Sequence, residues 1–283
     1  MESKNLILNR LFTKNTLRDL IVGESGTYLA VVKRYVRDPE NKENLRLISE
    51  IYNWMGKEYR NEYFYQNTLF NKLLLGKHSL TTTTALTQIP IGKSKADFIM
   101  INGKAVVYEI KTELDTFERL ERQITDYYKA FDHVCVVTSE VKYEQLRHIL
   151  RDSPVGIYVL NSKNMFSRSK RKEPEKYANQ LEYEVIFKVL HKDEQERILL
   201  SYYGNLPKST QAFYFGKCLE WFSQIPMEKA YLLAIDQLKK RNKISIEYMQ
   251  KFPYELKSLG FFSGFSDEDV NKVNHFLSQL YGG

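Results

Sequence analysis

Two short apolar segments joined by Asn102-Gly103 constrain the fold of this chain more than any other feature. Residues 98–101 are apolar, as are residues 105–110 apart from Glu109, and most of these side chains favour strands. An Asn-Gly pair between two such runs is a strong signal for a tight β-hairpin, because both residues tolerate the positive φ that hairpin turns need. The sequence therefore predicts an antiparallel pair of strands.

Charged residues interrupt this apolar stretch at the open end of the predicted hairpin. Asp97 begins the first strand, and Glu109 and Lys111 end the second. Residues two apart in a strand share a face, so Glu109 and Lys111 point the same way. Buried charges are costly unless they are paired or bind a metal. Two carboxylates can hold Mg²⁺, which can activate water on a phosphodiester, and an ammonium can stabilise the developing charge.

The length of the hairpin loop decides whether the two acids can act together. A strict two-residue turn would put Asp97 opposite Tyr108 and on the other face from Glu109, since a shift of one residue reverses every side chain. A site built from both acids therefore requires a three-residue loop, such as 102–104, or a bulge.

The rest of the chain alternates between strand and helix patterns. Further strands are predicted at 81–89, 134–137 and 155–160, and helices at 117–131 and 141–150. The order is helix, three strands, helix, strand, helix, strand. It indicates an α/β layer structure in which an antiparallel hairpin continues into parallel crossovers.

Four segments follow from these patterns. Residues 1–57 are predicted to form a helical N-terminal segment, and 58–161 the α/β core. Residues 162–176 carry six Lys or Arg against two Glu without apolar periodicity, which is typical of a solvated linker. Residues 177–283 are predicted to form a helical C-terminal domain.

Composition narrows the class of protein. The chain has 283 residues, of which 43% are hydrophobic, as in ordinary globular proteins. No stretch approaches the roughly 18 apolar residues of a membrane helix, and no secretory signal is evident. Its two cysteines do not form a disulfide framework, so a cytoplasmic protein is expected. The net charge of +7 favours nucleic acid or other phosphate partners weakly.

The predicted helix after the hairpin adds Gln123 and Tyr127, one turn apart on one face. Asp97, the Glu109-x-Lys111 pair and Gln123-x-x-x-Tyr127 together resemble the PD-(D/E)XK nuclease superfamily, specifically its RecB-like branch. The resemblance implies a restriction-endonuclease-like core, a mixed sheet flanked by helices, with helical N-terminal and C-terminal extensions. It also implies that the acids and the lysine form the catalytic metal site, and that the Gln-x-x-x-Tyr helix abuts it and contacts substrate.

Part of the chain resembles one particular family more closely, and one position differs from the motif of the superfamily. The segment from Arg60 to Thr138 looks like a bacterial family of such proteins found in prophages and other mobile elements. Ala96 stands where the motif name has proline, a change that the superfamily tolerates. By analogy with the family, Glu62 is a further acidic metal ligand. Lys93 and Lys95 flank the site and are candidates for phosphate contact, with ordinary surface lysines as the alternative.

Less specific interpretations stay open for the same residues. Asp97 can be a solvated acid at a strand end, and Lys111 can simply pair with Glu109. Gln123 and Tyr127 can be ordinary surface and packing residues of a helix. We further expect the two carboxylates to repel one another without a cation, so that replacing either by alanine leaves the metal-free protein as stable or more stable.

The function predicted from the sequence is that of a Mg²⁺- or Mn²⁺-dependent nuclease acting on DNA, in phage defence or mobile-element biology. One alternative is a non-catalytic nucleic-acid-binding or regulatory protein on a nuclease-like scaffold. Another is a protein-interaction module whose helical flanks bind a partner.

Overall fold

A computed structural model describes residues 2–77, 82–241 and 245–282 of the chain. The chain forms two compact units. The first is built from the described residues of 1–80, 162–165 and 244–283, and the second from those of 81–161 and 166–243.

Within the described residues, helices occur in both units, and the strands belong to the second. The helices are α1 (Glu2–Leu11), α2 (Lys14–Ile21), α3 (Gly26–Tyr35), α4 (Asn44–Glu58), α5 (Glu62–Leu69), α6 (Leu75–Lys77), α7 (Leu120–Tyr128), α8 (Tyr143–Ile149), α9 (Tyr183–Val189), α10 (Lys192–Tyr203), α11 (Gln211–Ser223), α12 (Met227–Lys239), α13 (Ile246–Gln250), α14 (Lys257–Ser263) and α15 (Asp267–Ser278). The strands are β1 (Thr84–Ile91), β2 (Ser94–Asn102), β3 (Lys104–Lys111), β4 (Val134–Ser139), β5 (Gly156–Leu160) and β6 (Phe166–Lys172).

The second unit is a mixed sheet with helices, which confirms the predicted α/β class. Its strands lie in the order β1-β2-β3-β4-β5-β6. The pairs β1–β2, β2–β3 and β5–β6 are antiparallel, whereas β3–β4 and β4–β5 are parallel. Parallel neighbours need a crossover, and α7 and α8 supply the two crossovers. The hairpin that continues into parallel strands is therefore present as predicted.

The hairpin between β2 and β3 has the three-residue loop that the candidate site requires. Asn102 pairs with Lys104, and Gly103 lies between them with φ of 71°. Gly favours this left-handed conformation because it has no Cβ. The same register pairs Phe98 with Tyr108.

One face of the sheet shares a buried core with helices of the second unit. The sheet residues of this core are Ile99, Ile101, Ala105, Val107, Val134, Val136, Ile157 and Val159. Helix α7 contributes Leu120 and Tyr127, and α8 contributes Leu146. Burial of this apolar surface at about 25 cal/mol per Å² is the main term that holds these helices on the sheet.

The prediction of a solvated linker at 162–176 was wrong. Phe166–Lys172 forms β6, which pairs antiparallel with β5. The strand lies at the edge of the sheet, where Lys and Arg are common because they discourage pairing with other chains. An edge strand shows little apolar alternation, so its basic composition resembled that of a linker.

The C-terminal boundary at 177 also differs from the division seen in the structure. Helices α9 to α12 belong to the second unit, and Phe187, Ile198 and Phe222 share a core with the sheet. Helices α13 to α15 belong to the first unit. Helical periodicity shows which face is apolar, but it does not show which partner buries that face.

The first unit is helical, as predicted for its N-terminal part. Buried Tyr28 donates a hydrogen bond of 2.6 Å to Asn44 Oδ1, and Asn44 Nδ2 donates to Phe276 O over 2.9 Å. The predicted start of the α/β core at residue 58 was wrong, because 58–77 belong to this helical unit, where α5 continues into a π-helical turn at Phe70–Leu74 before α6. Thr81, the first residue of the strand predicted at 81–89, lies outside the described residues. Within the part of the chain that the structure describes, no helix has the length and apolar character needed to cross a bilayer.

Candidate functional site

Glu109 is the centre of the site. It lies near the end of β3 and is 1% exposed. Its Oε1 lies 2.8 Å from Lys111 Nζ and accepts a hydrogen bond from Gln123 Nε2, and its Oε2 lies 2.5 Å from the Tyr127 hydroxyl. A buried carboxylate requires such donors, because burial without them costs several kcal/mol.

Lys111 is the counter-ion of this carboxylate. It is 8% exposed and two residues from Glu109, so the strand period places both side chains on one face. The Thr138 hydroxyl on β4 donates to the Lys111 carbonyl over 2.8 Å. The expectation that repulsion between acids dominates the metal-free site is therefore wrong for Glu109, whose charge is compensated by an ammonium and two further donors.

Asp97 lies beside Glu109 on the neighbouring strand. The register that pairs Phe98 with Tyr108 carries Asp97 opposite Glu109 when it is continued by one residue. Asp97 Oδ2 accepts a hydrogen bond of 2.8 Å from the backbone N–H of Ile110, which follows Glu109. The two acids thus share a face of the sheet, which is the arrangement that the three-residue loop was required to produce.

Helix α7 presents Gln123 and Tyr127 to Glu109, which confirms the prediction that both face the site. The Tyr127 hydroxyl lies 2.5 Å from Glu109 Oε2 and 2.9 Å from the Lys95 carbonyl oxygen, so one proton has two acceptors. Burial raises the pKa of Tyr127 far above its ordinary value, and the negative charge of Glu109 raises this pKa further. Tyr127 is therefore a neutral donor at physiological pH.

Gln123 has one polar atom that the protein does not satisfy. Its Nε2 donates to Glu109, whereas its Oε1 is buried and has no hydrogen-bond partner among the described residues. A buried acceptor without a donor costs about 1–3 kcal/mol. This oxygen lies one amide group away from the Glu109 carboxylate, where a bound water or substrate donor would satisfy it.

Asp126 of α7, which the sequence alone did not single out, holds the β1–β2 turn against the helix. Its Oδ2 accepts hydrogen bonds from Ser94 Oγ over 2.6 Å and from the Lys93 backbone N–H over 3.2 Å. A Cβ added at Gly92 would lie 2.7 Å from Asp126 Oδ1, so glycine permits this close approach. The available signal was an acid next to Tyr127 on the face of a helix that also carries buried residues.

The remaining candidates are placed as follows. Lys93 and Lys95 are exposed, at the β1–β2 turn and at the start of β2. Glu62 is exposed at the first turn of α5 and belongs to the first unit, whereas the other candidates belong to the second.

Asp97 and Glu109 are the residues that could hold a metal ion at this site. Among the described residues, no group of three or more His, Cys, Asp or Glu side chains is arranged to bind a metal. Mg²⁺ is commonly held by one or two carboxylates, with waters and substrate phosphates completing its shell. Glu109 Oε2 accepts one described hydrogen bond and keeps a second lone pair. The donor set therefore fits a hard divalent cation that keeps several waters.

A comparison with models of protein families shows to which family the chain belongs. The model of the family described as Bacteriophage P4 protein cII matches residues 55–260. The chain belongs to this family. The matched range of this chain contains the six-stranded sheet and every candidate site residue. No curated protein and no solved structure matches the chain.

Proposed function

We propose that this protein is a metal-dependent nuclease of the PD-(D/E)XK type. The observation that carries the proposal is the convergence of five predicted residues on one point of the sheet. Continuing the β2–β3 register by one residue places Asp97 opposite Glu109, and Lys111, Gln123 and Tyr127 each contact the Glu109 carboxylate. This is the constellation that the RecB-like resemblance implies, and it was assembled from positions as far apart in sequence as 97 and 127.

Each residue has a distinct role in the proposed reaction. Asp97 and Glu109 would hold Mg²⁺ or Mn²⁺, which activates water and neutralises charge on the phosphate when it is bound. Lys111 orients the nucleophile or stabilises negative charge at the phosphate. Tyr127 keeps Glu109 in place by donating to Oε2. Gln123 holds the other oxygen and offers its buried Oε1 to substrate or water.

DNA is the proposed substrate, in phage defence or mobile-element biology. Membership of a bacteriophage family supports the biological setting. The exposed Lys93 and Lys95, on the hairpin end that carries Asp97, support contact with phosphates, as does the net charge of +7. The proposal places the protein in the cytoplasm, where such DNA is found. The role of Glu62 as a further acid, and that of the helical flanks in binding a protein partner, stay predictions.

The alternative function, a non-catalytic nucleic-acid-binding or regulatory protein, also has an observation in its favour. Lys111 and Gln123 both engage Glu109 Oε1, and Tyr127 engages Oε2. A carboxylate held in this way can serve as a structural anchor on a nuclease-like scaffold without binding a cation.

Direct incubation with substrates tests the proposal. Purified protein is incubated with linear duplex, circular and single-stranded DNA and with RNA, each with Mg²⁺, Mn²⁺ or EDTA. The nuclease proposal predicts cleavage of at least one substrate that depends on the cation and is abolished by EDTA. Binding without cleavage under every condition would favour the alternative.

A further inference from the structure

A groove between α8 and β6 lies on the face of the sheet that carries Glu109. Glu109 pairs with Val136, Val136 with Ile157, and Ile157 with Lys172. These four residues form one cross-strand row, and residues directly opposite one another share a face. Neighbouring strands are about 4.8 Å apart, so the row spans about 14 Å from Glu109 to Lys172.

Cations dominate the walls of this groove. It has a volume of about 400 Å³ and is lined by Arg147 of α8, by Arg151 just after α8 and by Lys172 of β6, with Ile157 in its lining. Arg151 follows the end of α8 at Ile149, in the turn that leads to β5. Arg151 makes no ion pair with a carboxylate among the described residues, and its guanidinium contacts the ring of His148.

Glu144, the carboxylate that lines the groove, forms only a weak ion pair with Arg147. Glu144 also lines the groove and pairs with Arg147 over 2.8 Å, but both side chains are more than 60% exposed. Exposed pairs of this kind contribute about 0–1 kcal/mol and are screened by salt. A phosphate can therefore replace Glu144 at the Arg147 guanidinium, while Lys172 already donates to the Ser153 carbonyl and is fixed in position.

We propose that the α8–β6 groove binds the phosphate backbone of a nucleic acid strand. Arginine forks bind phosphate oxygens in a bidentate geometry, and a net charge of +7 favours a polyanion whose phosphates repeat along a strand. The groove lies about 14 Å along the sheet from Glu109, and a strand bound in the groove can extend around the buried Val136 to reach that carboxylate. The path from the groove to Glu109 rests on the proposed function, whereas binding in the groove does not require cleavage.

Binding measured without cleavage tests the groove directly. Fluorescence anisotropy of a labelled single-stranded DNA is recorded in EDTA over a salt series with the full chain. The test variant is Arg147→Gln/Arg151→Gln. The control is Lys208→Gln/Lys239→Gln, which removes two exposed cations of the same unit and changes the net charge equally.

The groove variant is expected to bind roughly tenfold or more weakly at about 0.1 M salt. Its salt slope is expected to fall by about 1.4, or about 0.7 for each phosphate that an arginine no longer neutralises. The control is expected to keep the slope of the wild type. A constant fraction of folded protein changes the affinity but not the slope, and circular dichroism across the salt series checks that this fraction is constant.

Three outcomes would overturn the proposal. The first is an unchanged salt slope in the groove variant, and the second is an equal loss in the control. The third is that the groove variant loses as much affinity for polyglutamate as it loses for DNA, which would make the groove a general polyanion site. DNA binding through the groove without cleavage of any substrate would refute the proposed nuclease activity, and the proposal for the groove would stand. Cleavage by the wild type with normal binding by the groove variant would refute the groove and leave the nuclease.

Discussion

The Tyr127 hydroxyl lies 2.5 Å from Glu109 Oε2 and thereby joins helix α7 to the end of strand β3. Both side chains are almost fully buried, so the contact is shielded from water. Tyr127 also reaches the Lys95 carbonyl oxygen at 2.9 Å, which brings the start of β2 into the same cluster. One hydroxyl thus connects the three elements that carry Asp97, Glu109 and Gln123.

Tyr127→Phe is expected to destabilise the protein by about 1–3 kcal/mol, because the buried Glu109 carboxylate loses a donor. Above pH 10, the free energy of unfolding of the variant should also fall less steeply than that of the wild type. Since the pKa of Tyr127 is raised in the folded state, this residue contributes stability below its unfolded pKa of 10.0, and that stability is lost as the pH rises above it. Urea unfolding from pH 7 to pH 11 measures both effects. A variant whose stability falls as steeply as that of the wild type would exclude this coupling.

Glu109→Ala is expected to destabilise the metal-free protein by about 3–5 kcal/mol, because Lys111 is then buried without its counter-ion. The double variant Glu109→Met/Lys111→Met is expected to recover much of this loss, since no charge is left unpaired. Urea unfolding in EDTA compares both variants with Glu118→Ala, which removes an exposed acid. If Glu109→Ala were as stable as Glu118→Ala, Lys111 would not depend on Glu109.

Lys111→Ala is expected to reduce turnover strongly and to leave metal binding largely intact, because the ammonium is proposed to act on the nucleophile or the phosphate. Isothermal titration with Mn²⁺ measures metal binding, and a cleavage assay on the same preparation measures turnover. Lys104→Ala at the exposed start of the same strand is the matched control. Loss of metal binding together with turnover would assign Lys111 a structural role instead.

Gly103→Ala is expected to destabilise the protein by about 1–2 kcal/mol, because Gly103 has φ of 71° and a Cβ in that conformation is strained. Gly216→Ala in α11 is the control. A Cβ would meet nothing within 4 Å at either position, so only the backbone conformation differs. The control should gain about 0.5–1 kcal/mol, since alanine favours a helix. Equal thermal midpoints would show that the loop tolerates a non-glycine conformation.

The hairpin and its site could be predicted from sequence because the signals are local. Asn102-Gly103 lies between two apolar runs, and Glu109-x-Lys111 follows the two-residue period of a strand. The loop length that these residues needed could be stated in advance, and the Asn102–Lys104 pair satisfies it.

The parts that sequence did not predict depend on distant partners. Strand β6 carries few apolar residues, and its pairing with β5 is visible in the fold rather than in its composition. Asp126 looked like an ordinary helical acid, because its partners Lys93 and Ser94 are more than 30 positions away. The division of 177–283 between two units likewise depends on which apolar surface each helix meets.

The most direct test of the central claim compares wild type, Glu109→Gln and Glu118→Gln, purified in parallel. Cleavage of DNA with Mg²⁺ or Mn²⁺ is measured at a temperature where circular dichroism shows all three to be folded. We predict metal-dependent cleavage by the wild type and by Glu118→Gln, and loss of cleavage in Glu109→Gln. Equal cleavage by all three proteins would contradict a catalytic site at Glu109, since the activity would then come from another site or from a contaminant.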